Sequence, residues 1–184
     1  MSPRPTSWRR LRADARGVAA VEFALIAPIL ILLYCVGFEV SEAATVYRKL
    51  TDTTVQIANV TSQYTTMSSD DVTLVEEAAS QIMTPFSTTP FTVVLSEVST
   101  NAQGQGTVTW SQAWNGNGTA GTALATGASV TMPSGFQTAN SSYILVQTTY
   151  LYTPSIAGNF IGNMNMTGEI FMLPRNSPSI AYTN

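Results

Sequence analysis

Arg16-Gly17-Val18-Ala19-Ala20-Val21-Glu22-Phe23, running on into the apolar residues 24–38, decides how the rest of the chain is read. Glu22 is the one charged residue between Arg16 and Glu39. In a bilayer a carboxylate costs roughly 2.5–3.5 kcal/mol at a helix centre on insertion scales, and less toward the helix end. Glu22 therefore calls for a compensating group. Residues 18–38 make a segment of 21 residues. At about 1.5 Å per residue a helix of that length spans about 30 Å, the thickness of a hydrocarbon core. A cleaved secretory signal would have an apolar core of about 7–15 residues and a small-x-small site behind it. Residues 39–44 offer only a poor site, so a membrane helix is the better reading.

Around that segment the charge is lopsided. Arg4, Arg9, Arg10, Arg12 and Arg16 precede Gly17 against a single acid, Asp14. Basic residues flanking a membrane helix stay on the cytoplasmic side, which places the N-terminus inside and the bulk of the chain outside. Pro28 removes one helical hydrogen bond and is expected to kink or loosen the helix. Such a break is tolerated in a membrane when neighbouring helices satisfy the freed carbonyl, so the segment suits an assembly.

Beyond Gly17 the basic residues are Arg48, Lys49 and Arg175, against ten acids, which leaves no basic patch for nucleic acid. Charged residues are 10% of the chain, well below the roughly 25% of ordinary soluble domains. Ser, Thr, Asn and Gln supply the polarity, as in exported or surface-exposed proteins. Histidine is absent, and the single cysteine, Cys35, lies in the apolar run as a small membrane residue. No intrachain disulfide is possible. Neither a Gly-x-Ser-x-Gly elbow nor a phosphate-cradling glycine loop occurs, so no catalytic residue, cofactor, metal ligand or small-molecule substrate is expected, and the chain is not read as an enzyme. Asp70, Asp71, Glu76 and Glu77 lack calcium-loop spacing and read as helix capping and solubility. Trp110, Trp114, Tyr150 and Tyr152 offer either sheet packing or an aromatic sugar platform, with packing favoured.

Moving outward, Val40, Ala43, Ala44, Tyr47, Leu50, Val55, Ala58 and Val60 keep approximate helical spacing, so the helix is expected to continue to about Gln63. The charges between them read as a solvated face. Residues 65–69 read as a loop, and a second helix capped by Ser69 or Asp70 should end before Pro85. Period-two alternation over 91–98 and 107–114, with a glycine-bearing turn at 101–106, predicts a hairpin, with Val108, Trp110 and Trp114 on one face. Residues 115–140 show no periodicity and read as a long loop that is functional or disordered. Residues 143–152 and 168–173 read as two more strands. The fold class is α+β: a long N-terminal transmembrane and amphipathic helix, a second short helix, and a small antiparallel sheet of about four strands, a pilin-like head. The divisions are a basic leader at 1–17, a transmembrane helix at 18–38, its continuation at 39–64 and the head at 65–184.

Gly17, four small or apolar residues and Glu22-Phe23 resemble the processing site of type IV pilin-like proteins. The fuller stretch RGVAAVEFALIAPILILLYCVGFEV resembles the N-terminus of TadE-like proteins, minor pseudopilins of tight adherence (Flp) pilus systems. The resemblance covers about residues 14–50 and returns faintly over 143–175, where Pro174-Arg175 matches a common late pair. It implies cleavage by a prepilin peptidase after Gly17, leaving Val18 as the new N-terminus. It also implies a register role for Glu22 with Phe23, other pilin-like subunits as partners, and a single-pass inner-membrane location with the head periplasmic or extracellular. Phe23 stands where Flp major pilins usually have tyrosine. Physically, Glu22 is one helical turn from Val18 and can pair with a freed Val18 amine, its own or a neighbour's. From position alone, a Glu that snorkels toward the interface near the helix start fits equally well. The rival function is an uncleaved signal-anchored envelope protein whose head binds a ligand or carbohydrate.

Overall fold

The computed structural model describes residues 17–156 and 158–183, and all of the leader expected at 1–17 except Gly17 lies outside them. Two compact units emerge. One gathers the described residues up to Ser41 with Pro154–Gly162; the other comprises Glu42–Thr153 and Asn163–Asn184.

Helix α1, Val18–Thr61, runs unbroken for 44 residues through Pro28. Proline has no N–H to give, so the carbonyl of Ala24 loses its usual donor four residues on. The threonine-rich turn does not interrupt the helix. Thr51, Thr53 and Thr54 each donate their hydroxyl to the carbonyl four residues back, at 3.0, 2.8 and 2.7 Å, so these side chains are satisfied within the helix. The helix stops two residues short of the expected end.

In the second unit the remaining elements are β1 (Thr66–Ser68), α2 (Ser69–Met83), β2 (Phe91–Thr100), β3 (Gly106–Asn115), β4 (Ser129–Val130), β5 (Ser142–Tyr152), β6 (Met164–Met172) and β7 (Ala181–Thr183). A short turn of helix, Gly158–Ile161, belongs to the first unit. Five strands form an antiparallel sheet in the order β4-β3-β2-β5-β6, one more than the sequence suggested. Ala43, Val46, Leu50, Ile57 and Ala58 of α1 pack with Phe91, Val93 and Leu95 of β2, Trp110 and Trp114 of β3, and Ile144, Val146, Tyr150 and Tyr152 of β5. The helix contributes the stripe that its 3.6-residue period brings to one side, and each strand contributes alternate residues. Burying each large side chain stabilises the unit by about 1.5–3 kcal/mol.

Val108 is buried but lies outside that cluster. The β2–β3 register shifts between Glu97 and Val98, so Glu97 faces Trp110 while Val98 faces Val108. A bulge at this point interrupts the alternation that placed Val108 with the two tryptophans. All four aromatics considered as a sugar platform, Trp110, Trp114, Tyr150 and Tyr152, are buried in the core. No sugar platform can form from them.

Residues 65–69 are not a plain loop. Thr66, Met67 and Ser68 pair in parallel with Ala181, Tyr182 and Thr183. A parallel pairing across more than 110 positions leaves no local sequence signature. Ser68, rather than Ser69 or Asp70, caps α2. Its hydroxyl accepts the N–H of Asp71, and its N–H donates to the Asp71 carboxylate at 2.8 Å. The Ser68 hydroxyl, foremost, and its N–H hold the Asp71 carboxyl below its usual range.

Two of the three basic residues beyond Gly17 serve helix ends, and one of them, Lys49, was expected on a solvated face. Lys49 donates from α1 to the carbonyls of Ile82 and Thr84 at the C-terminus of α2. Arg175 donates its guanidinium to Asn59 at 2.8 Å and its backbone N–H to the carbonyl of Ser62, closing the end of α1. Neither helix has a basic residue in its own last turn. Cations delivered from elsewhere in the chain thus meet the negative ends of both dipoles.

Gly168 of β6 lets α1 approach the sheet. A Cβ there would lie 2.6 Å from the Thr54 hydroxyl and 2.7 Å from that of Thr148. Those two hydroxyls bond each other at 2.6 Å beneath the helix. Gly168→Ala should therefore force helix and sheet apart and cost about 1–3 kcal/mol, the usual penalty of overpacking. Urea unfolding of the detergent-solubilised chain, followed by circular dichroism, would measure it; an unchanged midpoint would refute the close-approach argument.

The outer face of the sheet carries a second core. Val98, Tyr143, Leu145 and Phe171 are covered by Met132, with Leu124, Val130 and Phe136 packed against them. Residues 115–140, expected to be functional or disordered, thus act as an ordered cover whose sparse apolar side chains are its anchors. Phe136 meets Tyr143 edge-on at 5.5 Å and Phe171 at 5.6 Å.

Candidate functional site

Gly17 opens the described chain, immediately before α1. It is exposed, and a Cβ built on it would meet nothing within 4 Å. The fold itself makes no demand for glycine at this point. Val18 and Glu22 follow at a spacing of four, which stacks them on one helical face about 6 Å apart along the axis. Val18 is 53% exposed and Phe23 68% exposed. Glu22 is also exposed and has no ion pair or hydrogen bond among the described residues. The site residues expected from sequence therefore sit together on the first turns of α1, open to a partner.

The apolar surface continues well past Phe23. Leu25, Ile26, Ile29, Leu30, Ile31, Leu33, Tyr34 and Phe38 are all exposed, and no part of the most apolar window of α1 is buried within the chain. A contiguous apolar surface of this extent is not stable in water. By length and composition α1 is able to cross a membrane once.

Sequence reasoning missed a second cluster, in the sheet-bearing unit. Glu97 is 2% exposed, at the middle of the helix-facing side of β2. Its carboxylate accepts the N–H of Ile180 at 2.8 Å. The indole of Trp110 donates to the Ile180 carbonyl at 2.6 Å, and its ring lies 5.4 Å from that of Tyr182. Burial pushes the Glu97 carboxyl up, opposed by the Ile180 N–H and by the Trp110 and Ser142 side chains. The signal was present in the sequence: 91, 93, 95 and 97 share one strand face, so the alternation itself puts Glu97 among buried residues. Its partner, Ile180, lies 83 positions away. The cluster fastens the C-terminal strand.

Elsewhere, an open groove of about 410 Å³ runs over the outer sheet face, lined by Thr92, Val94, Gln147, Thr149, Thr167 and Glu169. Gln147 donates to Glu169 across it at 2.8 Å. Among the described residues no three His, Cys, Asp or Glu side chains gather as metal ligands would.

With this geometry in place, comparison with known proteins finds that residues 17–59 match the family of TadE-like proteins. The matched stretch is TadE-like; it runs from the glycine before α1 almost to the helix end. No curated protein and no solved structure matches the chain.

Proposed function

We propose, on the premise of the TadE-like stretch at residues 17–59, that this protein is a minor pseudopilin that helps assemble or prime a tight adherence pilus. A prepilin peptidase hydrolyses the bond after Gly17 on the cytoplasmic side. The freed Val18 amine, positive near neutral pH, pairs with Glu22 of its own or a neighbouring subunit. That pairing offsets the cost of holding a carboxylate in lipid and sets the register of packed helices. The chain crosses the inner membrane once, with its sheet-bearing head outside, and carries no enzymatic activity of its own. One observation supports this reading most: Gly17 is a glycine that the fold does not need, one turn before an exposed carboxylate with no ion pair or hydrogen bond among the described residues.

The test is the mass and N-terminal sequence of the membrane-extracted chain, with and without an active prepilin peptidase. The expected result is a chain beginning at Val18 only with the active enzyme, and an uncut chain for Gly17→Val. Because a Cβ at this point meets open space, the variant's fold should be unchanged, so loss of cutting reports recognition. A chain that keeps its five leader arginines beside an active peptidase would overturn the proposal.

A further inference from the structure

Glu39 is the first charged residue after the apolar run, yet it is 0% exposed. Its carboxylate accepts the backbone N–H of Ile156. Both residues belong to the first unit, in which the 154–162 segment accompanies the N-terminal part of α1. The nine residues of that segment include no charge, and Ile156 is 60% exposed. From Val18 to Glu39 a helix rises about 32 Å, so Glu39 lies where the hydrocarbon core ends if α1 spans the bilayer. The hydrogen bond fixes the backbone of Ile156 at that same level.

We propose that the 154–162 segment is an interfacial membrane anchor, held by Glu39 so that Ile156 enters the boundary between lipid headgroups and acyl chains. The partner is the bilayer itself, on the side where α1 leaves it. An uncharged segment with an outward isoleucine suits that boundary, whereas a charged one would be expelled from it. The anchor would give the chain a second contact with lipid beside its single helix and limit rotation about the helix axis. The inference rests on the membrane-spanning reading of α1.

The experiment uses the full chain with Cys35→Ser, reconstituted in phosphatidylcholine–phosphatidylglycerol vesicles. An environment-sensitive fluorophore is attached at Ile156→Cys, at Leu30→Cys in the span, or at Ser134→Cys in the exposed cover of the sheet. Quenchers are lipids spin-labelled either near the headgroup or deep in the acyl chain. The expected pattern is quenching of 156 by the shallow label, of 30 by the deep label, and of 134 by neither. Glu39→Ala should shift the 156 probe to the emission it shows in water, and Glu39→Gln, which keeps an acceptor for the Ile156 N–H, should not. If 156 behaves like 134 while 30 is quenched, the anchor is refuted and the span stands. A 156 probe shielded from water but untouched by either lipid quencher means protein covers the segment, which also refutes it. Failure of the deep label to quench 30 refutes the span and the anchor together. An unchanged 156 signal in Glu39→Ala removes Glu39 from its holding role.

Discussion

Trp110→Ala is expected to destabilise the sheet-bearing unit by roughly 3–5 kcal/mol, the range for truncating a large buried aromatic. Three losses coincide at this one side chain. Its ring is part of the main core, its indole N–H serves the buried Ile180 carbonyl, and its face meets Tyr182. Removing it leaves that carbonyl without a donor and strips β7 of its packing. The loss should therefore not be uniform: amide exchange ought to accelerate first at 180–183 and at their partners in β1, before the sheet as a whole gives way. Trp110→Phe separates the contributions, since it keeps much of the volume and loses only the donor. Equal exchange rates for β7 in Trp110→Ala and the parent chain would show that the C-terminal strand is held by something else.

The second large effect concerns Glu97 and is set by pH. Burial raises its folded pKa above the ordinary glutamate value of 4.5. A group raised in this way binds protons more readily in the folded state than in the unfolded one. Its contribution is fully present below the unfolded pKa and is lost as pH rises through the folded pKa. The chain should thus lose stability from about pH 4.5 upward until the raised value is passed, a trend opposite to that of most carboxylates. Asp71 runs the other way: its lowered pKa contributes stability that is lost as pH falls through the folded value. Glu97→Gln keeps an oxygen to accept the Ile180 N–H and removes the titration, so near neutral pH it should match or exceed the parent and flatten the curve. Glu97→Ala also removes the titration but leaves that buried N–H unpaired, a loss of about 1–3 kcal/mol. Urea midpoints across a pH series would measure all three chains. A Glu97→Gln curve parallel to the parent's would exclude Glu97 as the source of the slope.

The apolar N-terminal part of the protein was legible because its signals are local. The apolar run, the glycine, the lone carboxylate and the helical period all lie within about 45 consecutive residues. A helix is specified by neighbours three and four apart, so the end of α1 could be placed to within two residues. The hairpin of β2 and β3 was equally visible, through alternation and a glycine-bearing turn. The glutamate at 97 shows where local reading stopped: alternation puts it inside, but the N–H that makes it tolerable arrives from residue 180.

The sequence by itself determined the α+β class, the apolar helix long enough to span a bilayer, and the Gly17–Glu22 spacing. Tertiary structure alone decided what the distant partners do. Lys49 and Arg175 close helix ends they do not belong to; Leu124, Met132 and Phe136 turn an aperiodic stretch into the cover of a second core; β1 exists only because β7 lies beside it. Most of these contacts join groups dozens of positions apart, and hydrogen bonding and burial reward them only once the chain has folded. No local period or motif records such pairings, because the free energy that selects them belongs to the assembled core.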